Sequence, residues 1–467
     1  MKYDNIGRPA HQRVRHNGRT LLDKSYLWGD NLRLLQALDT INHRSVRYDY
    51  DTFGSLSGAV YDDGSCQWRN PDAMGNVYDS PDRTDRSYGR GGQLREDKKW
   101  RYYYDSHGNL VLKSMRRSGP SLETGMRDEF LAWQSGDYAY TWQGNGMLRS
   151  VTRPDGKTVT FRYDALGRRI EKVFDGRVYR YLWDGDVILH EWDYTEADRP
   201  NTIVTETGEV TLDRPEPVEN LITWVYDSDN YVPTAKIVGD RHYSIISDYI
   251  GRPVQAYDDN GNIVWQADYD IYGNIRNLHG SRKFIPFRQL GQYEDDETGL
   301  YYNRFRYYDP RIGNYISQDP IRLSGNNPTL YGYVGDCNWH IDIFGLSDSS
   351  KLGAALGPAP GVNHDAHHIV MANSTDSRMV SLRNQMENFT PPIGKNSKEN
   401  GIWLPRQAKD RIAGTKLTAH KGEGIHSDAY KQSIYDRLNN KGREEFIAEL
   451  DLIKEELNDG KTFKCKS

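Results

Sequence analysis

Residues 158–168 read Thr158-Val159-Thr160-Phe161-Arg162-Tyr163-Asp164-Ala165-Leu166-Gly167-Arg168. Large apolar side chains alternate with polar ones at a period of two, which predicts a strand with one buried face. Tyr163 ends that strand, Asp164 caps a turn through its side chain, and Gly167 supplies a positive φ. A second alternating run, Arg177-Val178-Tyr179-Arg180-Tyr181-Leu182-Trp183, follows, so the unit is strand, turn, strand. The same five-residue pattern stands at Tyr3-Asp4-Asn5-Ile6-Gly7, Tyr50-Asp51-Thr52-Phe53-Gly54, Tyr104-Asp105-Ser106-His107-Gly108 and Tyr269-Asp270-Ile271-Tyr272-Gly273. Arg or Asn comes directly after Gly7, Gly108, Gly167 and Gly273. Recurrence in matching strand context predicts a repeat whose units stack into a continuous array.

Composition agrees with many short strands and turns. The 467 residues include 33 Tyr against 11 Phe, and 43 Gly. Aromatics at 12% exclude a disordered chain. No run of about 18 apolar residues occurs, so no membrane span is expected, and the N-terminus lacks the apolar core of a signal peptide. Cys66, Cys337 and Cys465 are far apart and lack metal-ligand spacing, so neither a disulfide framework nor a zinc knuckle follows. The net charge of −5 belongs to the body, because basic residues slightly outnumber acidic ones from Ser347 onward. That balance permits nucleic-acid binding by the tail without requiring it.

The repeated motifs resemble the YD repeats of Rhs proteins, large bacterial proteins whose repeats wind into a hollow β-shell. The resemblance runs from the N-terminus to Leu346. It is strongest through Pro286-Phe287-Arg288-Gln289-Leu290-Gly291, Glu297-Thr298-Gly299-Leu300-Tyr301-Tyr302 and Arg306-Tyr307-Tyr308-Asp309-Pro310. It implies a mainly β YD-repeat scaffold, a partial Rhs β-shell, over residues 1–346. A Ser/Gly/Pro/Ala-rich linker is expected at 347–361, and a small α+β domain at 362–467. Met1 stands just before the first motif. The implied protein is therefore the C-terminal part of a longer toxin. Such a toxin is made in the bacterial cytoplasm and delivered into target cells by a type VI or similar secretion apparatus, through a missing N-terminal region.

The end of the body reads Gln318-Asp319-Pro320 and then Asp342-Ile343-Phe344-Gly345-Leu346. Rhs proteins close their core with two such aspartate motifs and are cut just after the final Leu. The resemblance maps self-cleavage onto Asp319 and Asp342, with scission after Leu346. Two carboxylates in one site split their pKa values, so that one acts as base and the other as acid on a water. Two departures stand out. Ile343 and Asp336-Cys337 occupy places where the family has Pro and Asn-Pro, and loss of the proline is expected to loosen the backbone.

The tail carries His364, His367, His368, His420 and His426, five of the 13 histidines. Ala366-His367-His368-Ile369-Val370, Asn400-Gly401-Ile402-Trp403-Leu404-Pro405 and the His420–His426 loop followed by Tyr430 resemble the AHH family of the HNH/endonuclease VII superfamily. The implied fold is a ββα-metal (HNH-like) hairpin with added helices. The resemblance assigns His367 as metal ligand, His368 as general base, and His420 and His426 as further ligands. Asn400 positions the loop, and His364 is a spare ligand candidate. A neutral imidazole can take a proton from water near pH 7, and adjacent strand residues point to opposite faces. One divalent ion, Mg, Mn, Zn or Ni, is implied. DNA is the favoured substrate, and an immunity protein is the implied partner. The alternatives are an RNase toxin on the same scaffold and a structural or adhesive Rhs surface protein with an inert tail. Phe446, Leu450, Ile453 and Leu457 share one side of a charged segment, which predicts an amphipathic helix, and Trp403 is expected in the core.

Overall fold

In a computed structural model, residues 1–463 are described apart from 6, 31–32, 116–131, 227–230, 321, 323–328, 347–363, 372–373, 375, 391, 396, 413, 421–422 and 426. The chain divides into two compact units. The first holds Met1–Asp4 and Pro9–Ser347, and the second holds Asp348–Ser467 together with Asn5–Arg8. The expected linker at 347–361 lies outside the described residues.

The first unit is built from antiparallel strands that pair almost wholly in chain order. Seven form a sheet from Lys2–Tyr3 to Cys66–Trp68, and sixteen form another from Ser87–Tyr88 to Ile275–His279. A hairpin of Thr202–Val204 and Val210–Leu212 stands apart from the sixteen-stranded sheet.

The repeat chemistry is local and shared by the turns at Asp51, Asp105, Asp164 and Asp270. Asp164 Oδ1 accepts from the backbone N–H groups of Leu166 and Arg168, both at 2.9 Å, while Gly167 N–H donates to Asp164 O at 3.1 Å. Gly167 has φ +73°. The residue after the glycine closes the turn by donating to the second carboxylate oxygen. Arg168 does so at 2.6 Å, Asn274 at 3.0 Å to Asp270, and Asn109 at 3.1 Å to Asp105. That is why Arg or Asn recurs at this position.

At four of the turns the preceding aromatic residue locks onto the turn behind it. Tyr163 Oη donates to Leu148 O, Trp183 Nε1 to Arg169 O and Trp142 Nε1 to Leu110 O, each at 2.8 Å. Tyr269 Oη donates to Pro253 O at 2.7 Å. Each acceptor lies two residues beyond a turn glycine. The same turn occurs at Tyr257-Asp258-Asp259-Asn260-Gly261, and without the tyrosine at Asp72–Gly75 and Asp248–Gly251. The sequence reading missed all three.

Four further strands, Tyr293–Asp295, Leu300–Asn303, Arg306–Asp309 and Asn314–Tyr315, are entirely buried. They bond to the repeats through hydroxyls: Tyr302 donates to Gly167 O at 3.0 Å and Tyr301 to Gly273 O at 3.1 Å. They also supply buried charge, with Asp295 paired to Arg169 at 2.5 Å and Asp309 to Lys113 at 2.9 Å.

The second unit packs two strands, His364–His368 and Gly401–Pro405, with helices Ser377–Glu387, Asp428–Leu438 and Arg443–Asn458. The strands pair antiparallel as a ββα arrangement requires. Their connection is not a tight turn, however, since residues 369–400 include a helix. Asp376 and Ser427 cap two of the helices through their side chains. Phe446, Leu450, Ile453 and Leu457 are buried as their spacing predicted. Among the described residues, no helix is long and apolar enough to cross a membrane.

Candidate functional site

Register places the tail histidines. His367 pairs with Ile402 and His368 with Gly401, so alternation sets His367 on the face of Ile402 and Leu404 and His368 on the other. Leu404 is fully buried and His367 is 2% exposed, whereas His368 is half-buried. Trp403 shares the His368 face across from Ala366. It is half-buried rather than in the core as expected, whereas Ile402 and Leu404 on the opposite face join the cluster of buried side chains.

Asn400 precedes the second strand and is fully buried. Its Oδ1 accepts from Val370 N–H at 2.8 Å, and its Nδ2 donates to Val370 O at 3.0 Å and Lys395 O at 2.7 Å. Its own carbonyl accepts from Ile369 N–H at 2.9 Å. Asn400 thus fastens the end of the histidine strand to the start of its partner.

His420 is held by its backbone N–H, which donates to Pro405 O at 2.8 Å, and its ring centroid lies 5.2 Å from that of His367. His364 belongs to the face of His368, so among the described residues His420 is the histidine brought to the ring of His367. His426 lies outside the described residues. Tyr430, in the first turn of the Asp428–Leu438 helix, is fully buried. Its hydroxyl lies 2.9 Å from His367 Nε2 and donates to Ile369 O at 3.0 Å. Burial pushes its phenol far above the ordinary range. Sequence reasoning noted Tyr430 only as a family mark, because nothing local links it to a histidine 63 positions away.

The donor set suits one divalent ion in its chemistry, since two imidazoles stand side by side. Among the described residues no group of three potential ligands is assembled.

A second site lies at the end of the body. Arg306 Nη2 is 2.9 Å from Asp319 Oδ2 and 3.3 Å from Asp342 Oδ2, and all three side chains are buried. Tyr315 Oη donates to Asp342 Oδ2 at 2.8 Å, and Asn303 Nδ2 donates to Asp342 O at 2.8 Å. Asp342 Oδ1 accepts from Leu346 N–H at 2.8 Å. Burial and the neighbouring Asp342 carboxylate push the Tyr315 phenol well up. The backbone around Ile343 is closely packed. A Cβ on Gly291 would meet Ile343 O at 2.4 Å, and one on Gly345 would meet Asn303 O at 2.6 Å, so both glycines stand where the backbone approaches too closely for a side chain. The sequence reading assigned both aspartates to this site but gave no part in it to Arg306, which it quoted only within a family motif, or to Tyr315. Asp336, in the place of the usual Asn, is buried, and that burial pushes its carboxyl up to about 6.

Comparison with known proteins separates the two units. Residues 1–329 match the model of the teneurin YD-shell family. Residues 350–457 match a nuclease family of the HNH/ENDO VII superfamily with conserved AHH. Double-stranded DNA deaminase toxin A of Burkholderia cenocepacia is 30% identical over 389 residues, covering 77% of this chain and 25% of that protein. Probable deoxyribonuclease RhsA of Dickeya dadantii is 32% identical over 343 residues, covering 72% and 21%. Toxin protein Tse5 of Pseudomonas aeruginosa is 31% identical over 379 residues, covering 70% and 27%. The chain therefore spans about a quarter of the length of these relatives. Their names carry different activities, so the chemistry of the tail rests on the match at residues 350–457.

Proposed function

The chain belongs to the teneurin YD-shell family and ends in an AHH-type nuclease segment, and on that premise we propose that it is an antibacterial Rhs toxin whose C-terminal unit is a metal-dependent endonuclease acting on DNA. The observation that supports this reading is the meeting of His367 and His420, two separate sequence motifs, at a ring separation of 5.2 Å. His367, His420 and His426 would hold the ion. Such an ion supplies charge neutralisation on the phosphate and the leaving oxygen. His368 stands on the other strand face and takes the proton from the attacking water. Asn400 keeps the two strand ends together so that both histidines hold their places. The toxin reading implies delivery by a secretion apparatus through an N-terminal region of a longer protein, and an immunity protein that covers the site.

The test separates ligand from base. His368→Ala is expected to lower cleavage of duplex DNA by about 10² to 10⁴-fold while keeping metal affinity. His367→Ala is expected to lower both. Equal cleavage by wild type and His368→Ala rules out the base assignment. Cleavage of RNA but not DNA rules out the substrate and keeps the nuclease.

The junction supports a second activity in the same protein, self-cleavage between Leu346 and Ser347. Asp342 holds Leu346 by its backbone N–H, and Asp319 and Asp342 share the Nη2 of one arginine, Arg306. Arg306 offsets the repulsion of two buried carboxylates. Mass spectrometry of purified protein is expected to find a released fragment of residues 347–467. Asp319→Asn and Asp342→Asn should each yield the intact chain. A wild-type chain that stays intact through prolonged incubation, or a cut elsewhere, contradicts the assignment.

A further inference from the structure

Tyr430 makes two hydrogen bonds that fix one proton of the candidate metal centre. Its hydroxyl has a single hydrogen. That hydrogen points to Ile369 O, at 3.0 Å, because a carbonyl can only accept. The contact of 2.9 Å between Tyr430 Oη and His367 Nε2 then needs its hydrogen from the imidazole. His367 is thereby set as the Nε2–H tautomer, with the ring lone pair on Nδ1. Both side chains are essentially excluded from water, so no solvent competes for these bonds.

The anchor is itself rigid. Ser427 Oγ accepts from Tyr430 N–H at 3.1 Å at the start of the helix, and the Tyr430 ring packs edge-on against Phe463 at 4.9 Å. Ile369 O, the acceptor, belongs to the residue whose N–H is bonded to Asn400 O. The hydroxyl therefore ties the helix to the segment that Asn400 already fastens.

We propose that Tyr430 is a positioning residue that selects the Nδ1 atom of His367 as the metal-binding nitrogen. The inference rests on the metal-dependent nuclease reading above. Its physical basis is general: a ligating histidine donates its other ring N–H to a fixed acceptor, which sets the tautomer and ring orientation. Here that acceptor is a phenol oxygen 63 residues away in sequence.

Two measurements on the full chain test it. Zinc affinity is read by competition with a coloured chelator, for wild type and for Tyr430→Phe, which keeps the ring and removes only the oxygen. The expected loss is about 10 to 100-fold, with the thermal midpoint recorded to separate it from unfolding. The second measurement uses the wild type alone, with ¹⁵N-labelled histidine and NMR of the imidazole nitrogens in the absence of metal. His367, assigned by its loss in His367→Gln, is expected as the Nε2–H form. Wild-type affinity in a folded Tyr430→Phe, or a proton on Nδ1 in the wild type, overturns the proposal. Should Tyr430→Phe fail to fold, the wild-type spectrum still decides. A wild type that binds none of Mg, Mn, Zn and Ni defeats the nuclease reading itself, a result distinct from either.

Discussion

The two units bury different chemistry. The tail closes on aliphatic side chains such as Ile369, Val370, Leu382, Ile434, Leu450 and Ile453. The body buries Tyr302, Tyr307 and Tyr308 alongside Arg169, Arg288, Arg306, Lys113 and Lys172. Repeated strands of similar length pair equally well one residue out of step, and a slip would turn every side chain to the wrong face. Hydroxyls aimed at particular turn carbonyls, and charges aimed at particular partners, penalise such a slip, because a buried polar group left unpaired is costly. The tail has few strands to misalign and needs only shape and capped helices. The body should accordingly answer to charge and pH, and the tail to volume.

The largest effect should come from breaking a buried pair. Asp295 is fully buried between Arg169 at 2.5 Å and Lys172 at 3.3 Å. Asp295→Ala leaves two cations without it and should lower the stability of the body by about 3–5 kcal/mol in urea titration. A loss under about 1 kcal/mol would erase the contrast between the units.

A pH titration sharpens the same contrast. Burial pushes the Glu297 carboxyl up, but Lys172 and Lys283 outweigh it and hold it at about 2 against an ordinary 4.5. A depressed carboxylate stabilises the fold above its unfolded value and loses that contribution as pH falls through the folded one. The Glu297 contribution, about 3 kcal/mol, should be lost between pH 4.5 and 2, and Glu297→Gln should flatten the slope of body stability by that much. Asp336 runs the other way. Its carboxyl is raised from 3.8 to about 6, so its contribution is complete below 3.8 and lost as pH rises through 6. Asp336→Asn should therefore stabilise the body at pH 7 by about 1–2 kcal/mol and have little effect at pH 3.5. Destabilisation by Asp336→Asn at pH 7 would contradict this reading of the junction.

What could be read in the sequence was local. The Asp and Gly of each turn and the alternation around them predicted the strand array, because those contacts span four residues. Keying on the preceding tyrosine hid Asp72–Gly75 and Asp248–Gly251, where the Asp, the Gly and the residue after it build the turn without a tyrosine. The His367-His368 pair and the helix of residues 443–458 were legible for the same reason. The excursion through residues 369–400 was not, since strands that far apart leave no turn signal. Nor was Arg306 legible as the cation between Asp319 and Asp342, 36 residues from the latter, or Tyr430 as the partner of His367. Partners in space carry no spacing rule.

The central claim is that the tail cuts DNA with a bound divalent ion. The most direct measurement incubates the full chain with supercoiled plasmid, first stripped with EDTA and then supplied in turn with Mg, Mn, Zn or Ni. The expected result is an intact plasmid in EDTA, conversion to nicked and linear forms on return of at least one ion, and no conversion by His368→Ala under that ion. Plasmid that stays supercoiled with every ion, or is cut equally in EDTA, would contradict it.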